Sequence, residues 1–292
     1  MISFLIPIYN YNVVKLIQDL VQQSLDLGIE YEVLAYDDCS TTLSIKEENK
    51  EINILPNVKY VLLEENLGRS KIRNHLAQES KGDVLLFLDC DSGIVRNDFV
   101  QKYIEAIKHS DVVVGGTVYN KKESIQREFL LHWTNGKNRE EGKKHFTTNN
   151  FCIKKSVFQS IQFSSNLTGY GHEDTIFGCE LAKRMHSISF IDNPVAHLGL
   201  KNTSKFIADT IYACENLAKL YTNPQYKDFL SNISLVKAFE KLQIFHLVKI
   251  YSFCFTLIKA ICIRQIMSNK PNLKLLDLLK LYSFCKAINK TI

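Results

Sequence analysis

Asp89 and Asp91, in "LFLDCDSG" (Leu86 to Gly93), bring two carboxylates to the end of an apolar run with one small residue between them. If a strand runs through both, they point the same way, roughly 6–7 Å apart. Two like charges at that distance repel by about 2.4 kcal/mol at an effective dielectric of ~20. A chain that keeps them there either caps a turn, which Ser92-Gly93 would complete, or neutralises them with a cation. A second acidic strand end, Asp37-Asp38 in "YEVLAYDD", favours a site for a divalent cation and phosphate. A third acidic pair, Glu173-Asp174 in "GYGHED", stands behind two glycines and opens the amphipathic pattern Ile176, Phe177, Leu181. Acids there complement a helix N-terminus. Behind a Gly-rich loop they suit acceptor binding and base catalysis better.

These acids need a scaffold, and the pattern around them supplies one. Strands are expected at 2–7, 31–36, 58–63, 83–88 and 111–118, with helices near 13–26, 69–80 and 97–108. That alternation is the signature of βαβ units and a mainly parallel sheet flanked by helices. In open α/β sheets, ligands bind beyond the carboxyl ends of the strands. Tyr9-Asn10, Asp37-Asp38 and Asp89-Cys90-Asp91 stand there. Arg73 follows Arg69 by four residues, so both share a helix face, and one of them is expected to reach a bound ligand or the aspartates. From 120 to 150 the pattern breaks, and "NGKNREEGKKH" (Asn135 to His145) reads as a mobile loop. Order returns with a strand near 149–154, a helix near 174–185, a strand near 187–192 and a helix from about 202.

Composition bounds the rest. With 292 residues, 46% hydrophobic, 23% charged and only 5 Pro, the chain can bury a full-sized core and is not largely disordered. Its net charge of +5 is uneven: residues 201–292 carry +9 and the first 200 carry −4. Met1 runs straight into an apolar strand, so no signal peptide is expected. Eight cysteines without a C-x-x-C pair, several inside apolar runs (Cys152, Cys254, Cys262), read as reduced packing cysteines of the cytosol.

After about residue 225 the chain reads as helical, with Lys270-Pro271 between its two final helices. "FHLVKIYSFCFTLIKAICIRQIM" is too interrupted by His246, Lys249 and Lys259 to be a membrane span. His246, Lys249, Ser252, Thr256 and Lys259 recur every three or four residues as a narrow polar stripe on a broadly apolar helix. A helical hairpin packed on the body or on a second subunit fits this pattern. The +9 charge tips the balance toward peripheral contact with an anionic membrane surface.

"ISFLIPIYN", "YEVLAYDDCST" and "NLGRSKIRNHLAQESKGDVLLFLDCDSG", followed in order by "TTNNFCIKKSVF", "GYGHEDTIFGCELAKR" and "NPVAHLG", carry a family resemblance. Over about residues 1–220 the sequence resembles the family 2 glycosyltransferases, which have the GT-A fold. The resemblance implies residues 1–222 as a GT-A domain, with 223–292 as a basic amphipathic helical extension. It implies a nucleotide-sugar donor, UDP favoured, with Pro7 and Tyr9 beside the base and Asp38 accepting from the uracil N3–H. Arg73 and Asp89 would join the donor site, Asp89 through ribose or a metal-bound water. Asn149 or Asn150 would lie near the donor phosphates or sugar. Asp91 and His197 would hold Mn²⁺ or Mg²⁺. Asp174 would deprotonate the acceptor hydroxyl, Glu173 would orient the acceptor, and Tyr170 would stack on a sugar face. Transfer would invert the anomeric carbon. The acceptor would be a saccharide or lipid-linked saccharide of surface glycan biosynthesis, met in the cytoplasm or at the inner face of the membrane, and nucleic acid is not an expected partner. One departure is Tyr170-Gly171-His172, where many relatives have Trp-Gly or Phe-Gly before the acidic pair.

Rival readings fit less well. In haloacid-dehalogenase-type phosphatases the Asp-x-Asp motif ends the first core strand, whereas at least three strands precede it here. A dinucleotide-dependent dehydrogenase needs a glycine-rich turn after strand one, and "PIYNYN" has none. A sugar-1-phosphate nucleotidyltransferase wants a Gly-rich basic loop at the same place. A non-catalytic sugar-nucleotide or glycan-binding module would have no need of Asp174.

Overall fold

The computed structural model describes residues 1–164 and 171–291, which form two compact units. The first holds residues 1–120, 140–164 and 173–199, and it begins with β1 (Ile2–Ile8). The chain then runs through α1 (Val14–Asp26), β2 (Tyr31–Asp37), α2 (Leu43–Lys50), β3 (Val58–Leu62), α3 (Arg69–Glu79) and β4 (Val84–Leu88). β1 is apolar and buried almost throughout, as a strand covered on both faces must be. Its side chains alternate between two cores. Phe4, Ile6 and Ile8 pack with Leu16, Ile17 and Leu20 of α1, whereas Leu5 packs with Ile72 and Leu76 of α3. The second core is aromatic: Phe87 stacks on Phe151 at 4.8 Å and Phe163 on Phe177 at 4.4 Å between ring centroids.

Beyond β4 come β5 (Ser92–Ile94), α4 (Phe99–Ala106), β6 (Val112–Val114) and β7 (Thr117–Val118), then α5 (Leu130–Arg139), which belongs to the second unit. The first unit is completed by β8 (Asn150–Lys154), α6 (Lys155–Ile161), α7 (Glu173–Lys183), β9 (Ile188–Phe190) and β10 (Val195–His197). The main sheet has the order β3-β2-β1-β4-β8-β6-β9. It is parallel except at β8, which runs antiparallel to both neighbours. This is the expected mainly parallel sheet flanked by helices. A small second sheet has the order β5-β10-β7.

The strand expected over 111–118 is in fact two strands in different sheets. Gly115 and Gly116 break it. A Cβ on Gly115 would lie 2.2 Å from the Tyr103 hydroxyl and 2.4 Å from the Asn193 carbonyl oxygen, and Gly116 has φ +85°. The loop expected over 135–145 is also corrected, because α5 runs to Arg139. Leu131 and Trp133 are buried, and tertiary burial outweighs the weak helical signal of a segment that contains Gly136.

The second unit comprises 121–139, 171–172 and 200–291. It adds α8 (Thr203–Tyr221), α9 (Pro224–Leu230), α10 (Ser234–Ile244), α11 (Val248–Ile266) and α12 (Leu273–Thr291). Its core gathers Leu131, Phe206, Ile207, Phe255, Ile266, Leu279 and Tyr282. The boundary expected at residue 222 therefore falls inside this unit. α8 turns Phe206 and Ile207 to the helical core, which draws the division back to Gly199 and Leu200.

Gly115→Ala should destabilise the protein by about 3 kcal/mol, the upper range for forced overpacking. Gly116→Ala meets open space and should cost only the left-handed strain, about 1–2 kcal/mol. Urea denaturation of the two variants checks the order, and equal losses would contradict it.

Candidate functional site

β1 sits where the chain order reverses, with β2 and β3 laid down on one side of it and β4 on the other. Crevices open at such points beyond the strands' carboxyl ends. Here the crevice is a cavity of about 560 Å³ lined by residues that follow β1, β2 and β4, by the start of α3, and by Gly199.

Two turns follow the strand ends that line it. Asn10, at φ +49°, accepts hydrogen bonds through Oδ1 from the amides of Thr41 and Thr42, at 2.8 and 3.0 Å. Its own amide donates to Ser40 Oγ at 2.7 Å. These bonds tie the end of β1 to the end of β2 and set Pro7, Tyr9 and Tyr11 along one wall. Asp37 is wholly buried and accepts from the Ser40 amide and the Tyr60 hydroxyl, so it is structural. Asp38 lines the cavity, and its two oxygens accept from the amides of Leu67 and Gly68 at 2.6 and 2.9 Å. Burial raises the Asp38 carboxyl above its ordinary value, and those two amide bonds oppose the rise. Asp38 thereby anchors the loop whose Gly68, at φ +78°, leads into α3 and its arginines.

Asp89 and Asp91 do not share a strand, because β4 ends at Leu88 and a turn carries them to β5. The alternation rule expected to align them therefore does not apply, and they take different partners. Arg73, only 2% exposed, donates from Nη2 to Asp89 Oδ1 at 2.5 Å. Its guanidinium carbon also lies 5.6 Å from the centre of the Phe163 ring. Arg73 is thus committed to the acidic turn, while the half-exposed Arg69 lines the cavity and pairs with Glu173 at 3.3 Å.

Asp91 is brought to His197 by a strand pairing. β5 and β10 run antiparallel with Ser92 opposite His197, which leaves Asp91 Oδ2 3.6 Å from His197 Nδ1. The Leu198 amide donates to the Asp91 carbonyl at 2.8 Å. A Cβ on Gly199 would fall 2.1 Å from Asp91 Oδ2, so only glycine leaves that carboxylate its place. Burial raises the Asp91 carboxyl, the neighbouring His197 charge opposes this, and the Asp89 charge adds to it. The same burial and the Asp91 charge push the Tyr11 hydroxyl and the Cys90 thiol each up to about 12, so both stay protonated at neutral pH.

No group of three or more His, Cys, Asp or Glu side chains converges on one metal position among the described residues. Asp91 and His197 bring one carboxylate and one imidazole together, and a divalent cation bound at phosphates takes its other positions from phosphate oxygens and water.

The remaining expected residues fall elsewhere. Glu173 and Asp174 open α7, with Glu173 joined to the cavity through Arg69. Asp174 Oδ1 accepts from the Thr175 amide at 2.7 Å. His172, at φ +72°, and Gly171, at φ +98°, precede them, and Tyr170 lies outside the described residues. Asn150 is spent in the core: it accepts from the Tyr103 hydroxyl and donates to the carbonyls of Gly116 and Asn193. Asn149 reaches the site through its carbonyl, which accepts from the Asp89 amide at 3.0 Å. Tyr11, Asn66 and Gly199 line the cavity without having been singled out in the sequence. An aromatic alternating with Tyr9 was the available signal for Tyr11. Gly199 had none, since its need arises only from the carboxylate packed against it.

Comparison with known proteins agrees with this architecture. The model of glycosyl transferase family 2 matches residues 3–166. An uncharacterized glycosyltransferase of Haemophilus influenzae is 37% identical over 93 residues, 31% of this chain and 29% of that protein. The poly(ribitol-phosphate) beta-N-acetylglucosaminyltransferase TarS of Staphylococcus aureus is 32% identical over 124 residues, 38% of this chain and 20% of that protein. The alignments thus span less than a third of these relatives' own lengths. Among solved structures, S. aureus TarS 1–349 in complex with UDP-GlcNAc superposes with a TM-score of 0.54 and 17% identity, over 99% of this chain and 91% of that one. The mannosyltransferase PcManGT of Pyrobaculum calidifontis, in complex with GDP-Man and Mn²⁺, gives 0.54 and 13%, over 96% and 85%. These likenesses show a shared GT-A fold. With more than half its length matched by the family model, the chain belongs to glycosyl transferase family 2.

Proposed function

We propose that the protein is a metal-dependent, inverting glycosyltransferase. It moves a sugar from a nucleoside-diphosphate donor, a UDP-sugar by preference, to a hydroxyl of a saccharide or lipid-linked saccharide. The observation that carries this reading is Asp91, which lines a cavity of about 560 Å³ together with Asp89 and Arg69 and has His197 Nδ1 3.6 Å from its carboxylate. That volume is within the usual range for small-ligand sites. Family membership and the UDP-GlcNAc held by TarS support the donor class.

In this reading Pro7, Tyr9 and Asp38 bound the base, and Asp89, steadied by Arg73, meets the ribose or a bound water. Asp91 and His197 would hold Mn²⁺ or Mg²⁺, which when bound supplies positive charge against the diphosphate. Arg69 adds a cation from the chain itself. Asp174 takes the proton of the acceptor hydroxyl, whose oxygen forms the new bond to the anomeric carbon. The bond from that carbon to the diphosphate breaks, and its electron pair leaves with the nucleotide. Attack opposite the leaving group inverts the carbon. Glu173, held by Arg69, orients the acceptor.

Asp91→Asn should remove most UDP affinity in calorimetry with Mn²⁺ while the melting temperature holds. Gly199→Ala should act in the same direction, because its Cβ, 2.1 Å from Asp91 Oδ2, displaces the carboxylate. Equal UDP binding by wild type and both variants, with and without EDTA, contradicts the metal-dependent site. Asp174→Asn keeps a carbonyl oxygen for the Thr175 amide, so donor binding should survive while transfer falls about 10²–10⁴-fold. Near-normal turnover would leave Asp174 as a helix-end charge. A panel of UDP- and GDP-sugars, read by slow release of nucleotide, tests the donor.

A further inference from the structure

α11 packs on α12 through Phe255, Cys262 and Ile266, with Thr256 and Lys259 beside them, and leaves a second row of apolar side chains outward. On its inner side Thr256 Oγ1 lies 3.1 Å from the Tyr282 hydroxyl, and the Lys259 ammonium sits 5.5 Å from the centre of the Tyr282 ring. The Tyr251 hydroxyl donates to the Leu278 carbonyl at 2.7 Å. Phe255, Cys262 and Ile266 fill the space between these contacts, against Leu276 and Leu279 of α12. The opposite side is different. Ile250, Phe253, Leu257 and Ile261 are 59%, 67%, 68% and 71% exposed. At 3.6 residues per turn these four fall within an arc of about 80° and run for about 16 Å along the helix. The turn before α11 continues the row with Ile244 and Phe245, 71% and 70% exposed. A contiguous apolar row of this kind marks a surface that something covers.

Charge says what covers it. Residues 241–276 hold Lys241, Lys249, Lys259, Arg264, Lys270 and Lys274, and no Asp or Glu. A second copy seated on the same face about a two-fold axis would set this cluster against itself. A surface of anionic lipid head groups neutralises it. No single helix among the described residues is long and apolar enough to cross a membrane, and α10 and α11 meet at a bend of 116°. We propose that the outer face of α11 and the α10–α11 turn lie in the head-group region of an anionic membrane. Phe253, Leu257 and Ile261 enter the acyl boundary, and Lys249 and Arg264 meet lipid phosphates. This inference is independent of the transfer reaction proposed above.

The test uses the full chain with vesicles of phosphatidylcholine alone or mixed with phosphatidylglycerol. The wild type should float with the anionic vesicles, and less so as salt rises from roughly 0.1 M to 1 M and screening shortens. Lys249→Ala with Arg264→Ala should weaken anionic-vesicle binding about 10–30-fold, at about fivefold per cation. Phe253→Ser with Leu257→Ser should abolish flotation while UDP binding persists. Should that pair fail to fold, Phe253→Trp keeps the face apolar and serves instead: its emission should move to the blue with anionic vesicles and not with neutral ones. A wild type that ignores all vesicles overturns the proposal, whether it stays monomeric or forms a dimer that the serine pair dissolves. So does an unchanged Phe253→Trp emission in vesicles that bind the chain, because a different surface would then be making the contact.

Discussion

The antiparallel pairing of β5 with β10 is the constraint on which the site depends. It joins a turn near residue 90 to a strand near 197, and it sets His197 beside Asp91. Neither residue has a fixed place without it. The Asp91 carboxylate is partly buried, and burial raises its pKa, so its charge is unfavourable until something positive stands close. His197 and Arg69 supply part of that compensation. Gly199 leaves the space that this carboxylate fills, since a Cβ there would lie 2.1 Å from Asp91 Oδ2.

Further bonds tie the rest of the cavity together. Asp38 bonds the loop before α3, and α3 carries Arg69 and Arg73 to the acidic turn. Asn10 ties the first strand end to the second. Each of these bonds joins residues far apart in the chain, so ordering entropy is lost on folding rather than when a ligand arrives. The paired Arg73 and Asp89 fit this pattern. Removing Asp89 would leave the buried Arg73 guanidinium without its carboxylate, which is more costly than the pair's own net contribution.

α11 shows a different economy. An apolar helix with a polar stripe would ordinarily turn the stripe to water. Here two members of the stripe find a partner on α12, because Tyr282 offers both a hydroxyl for Thr256 and a ring face for Lys259. Phe255, Cys262 and Ile266 fill the inner side, and a second apolar row, Ile250, Phe253, Leu257 and Ile261, is left outside, among cations and without acids.

Much was legible in the sequence because it depends on local periodicity. Apolar runs alternating with amphipathic segments set β1 through β4 and their helices, and the acidic strand ends marked the side of the sheet where the cavity opens. Charge and apolarity likewise marked the C-terminal helices. What local pattern could not supply was anything decided by residues distant in sequence. Gly115 divides one apolar run between two sheets because Tyr103 and Asn193 occupy the space of its side chain. Asp89 and Asp91 part company because β4 stops at Leu88, and Arg73 and His197 then claim one each. Gly199 matters only because the Asp91 carboxylate fills the place of its Cβ. The helix α5 and the boundary at residue 199 follow from burial in the helical core. Sequence by itself determined which elements form and which residue types reach the strand ends. The tertiary structure alone decided their partners, because a side chain's charge state and available space belong to its neighbours in three dimensions.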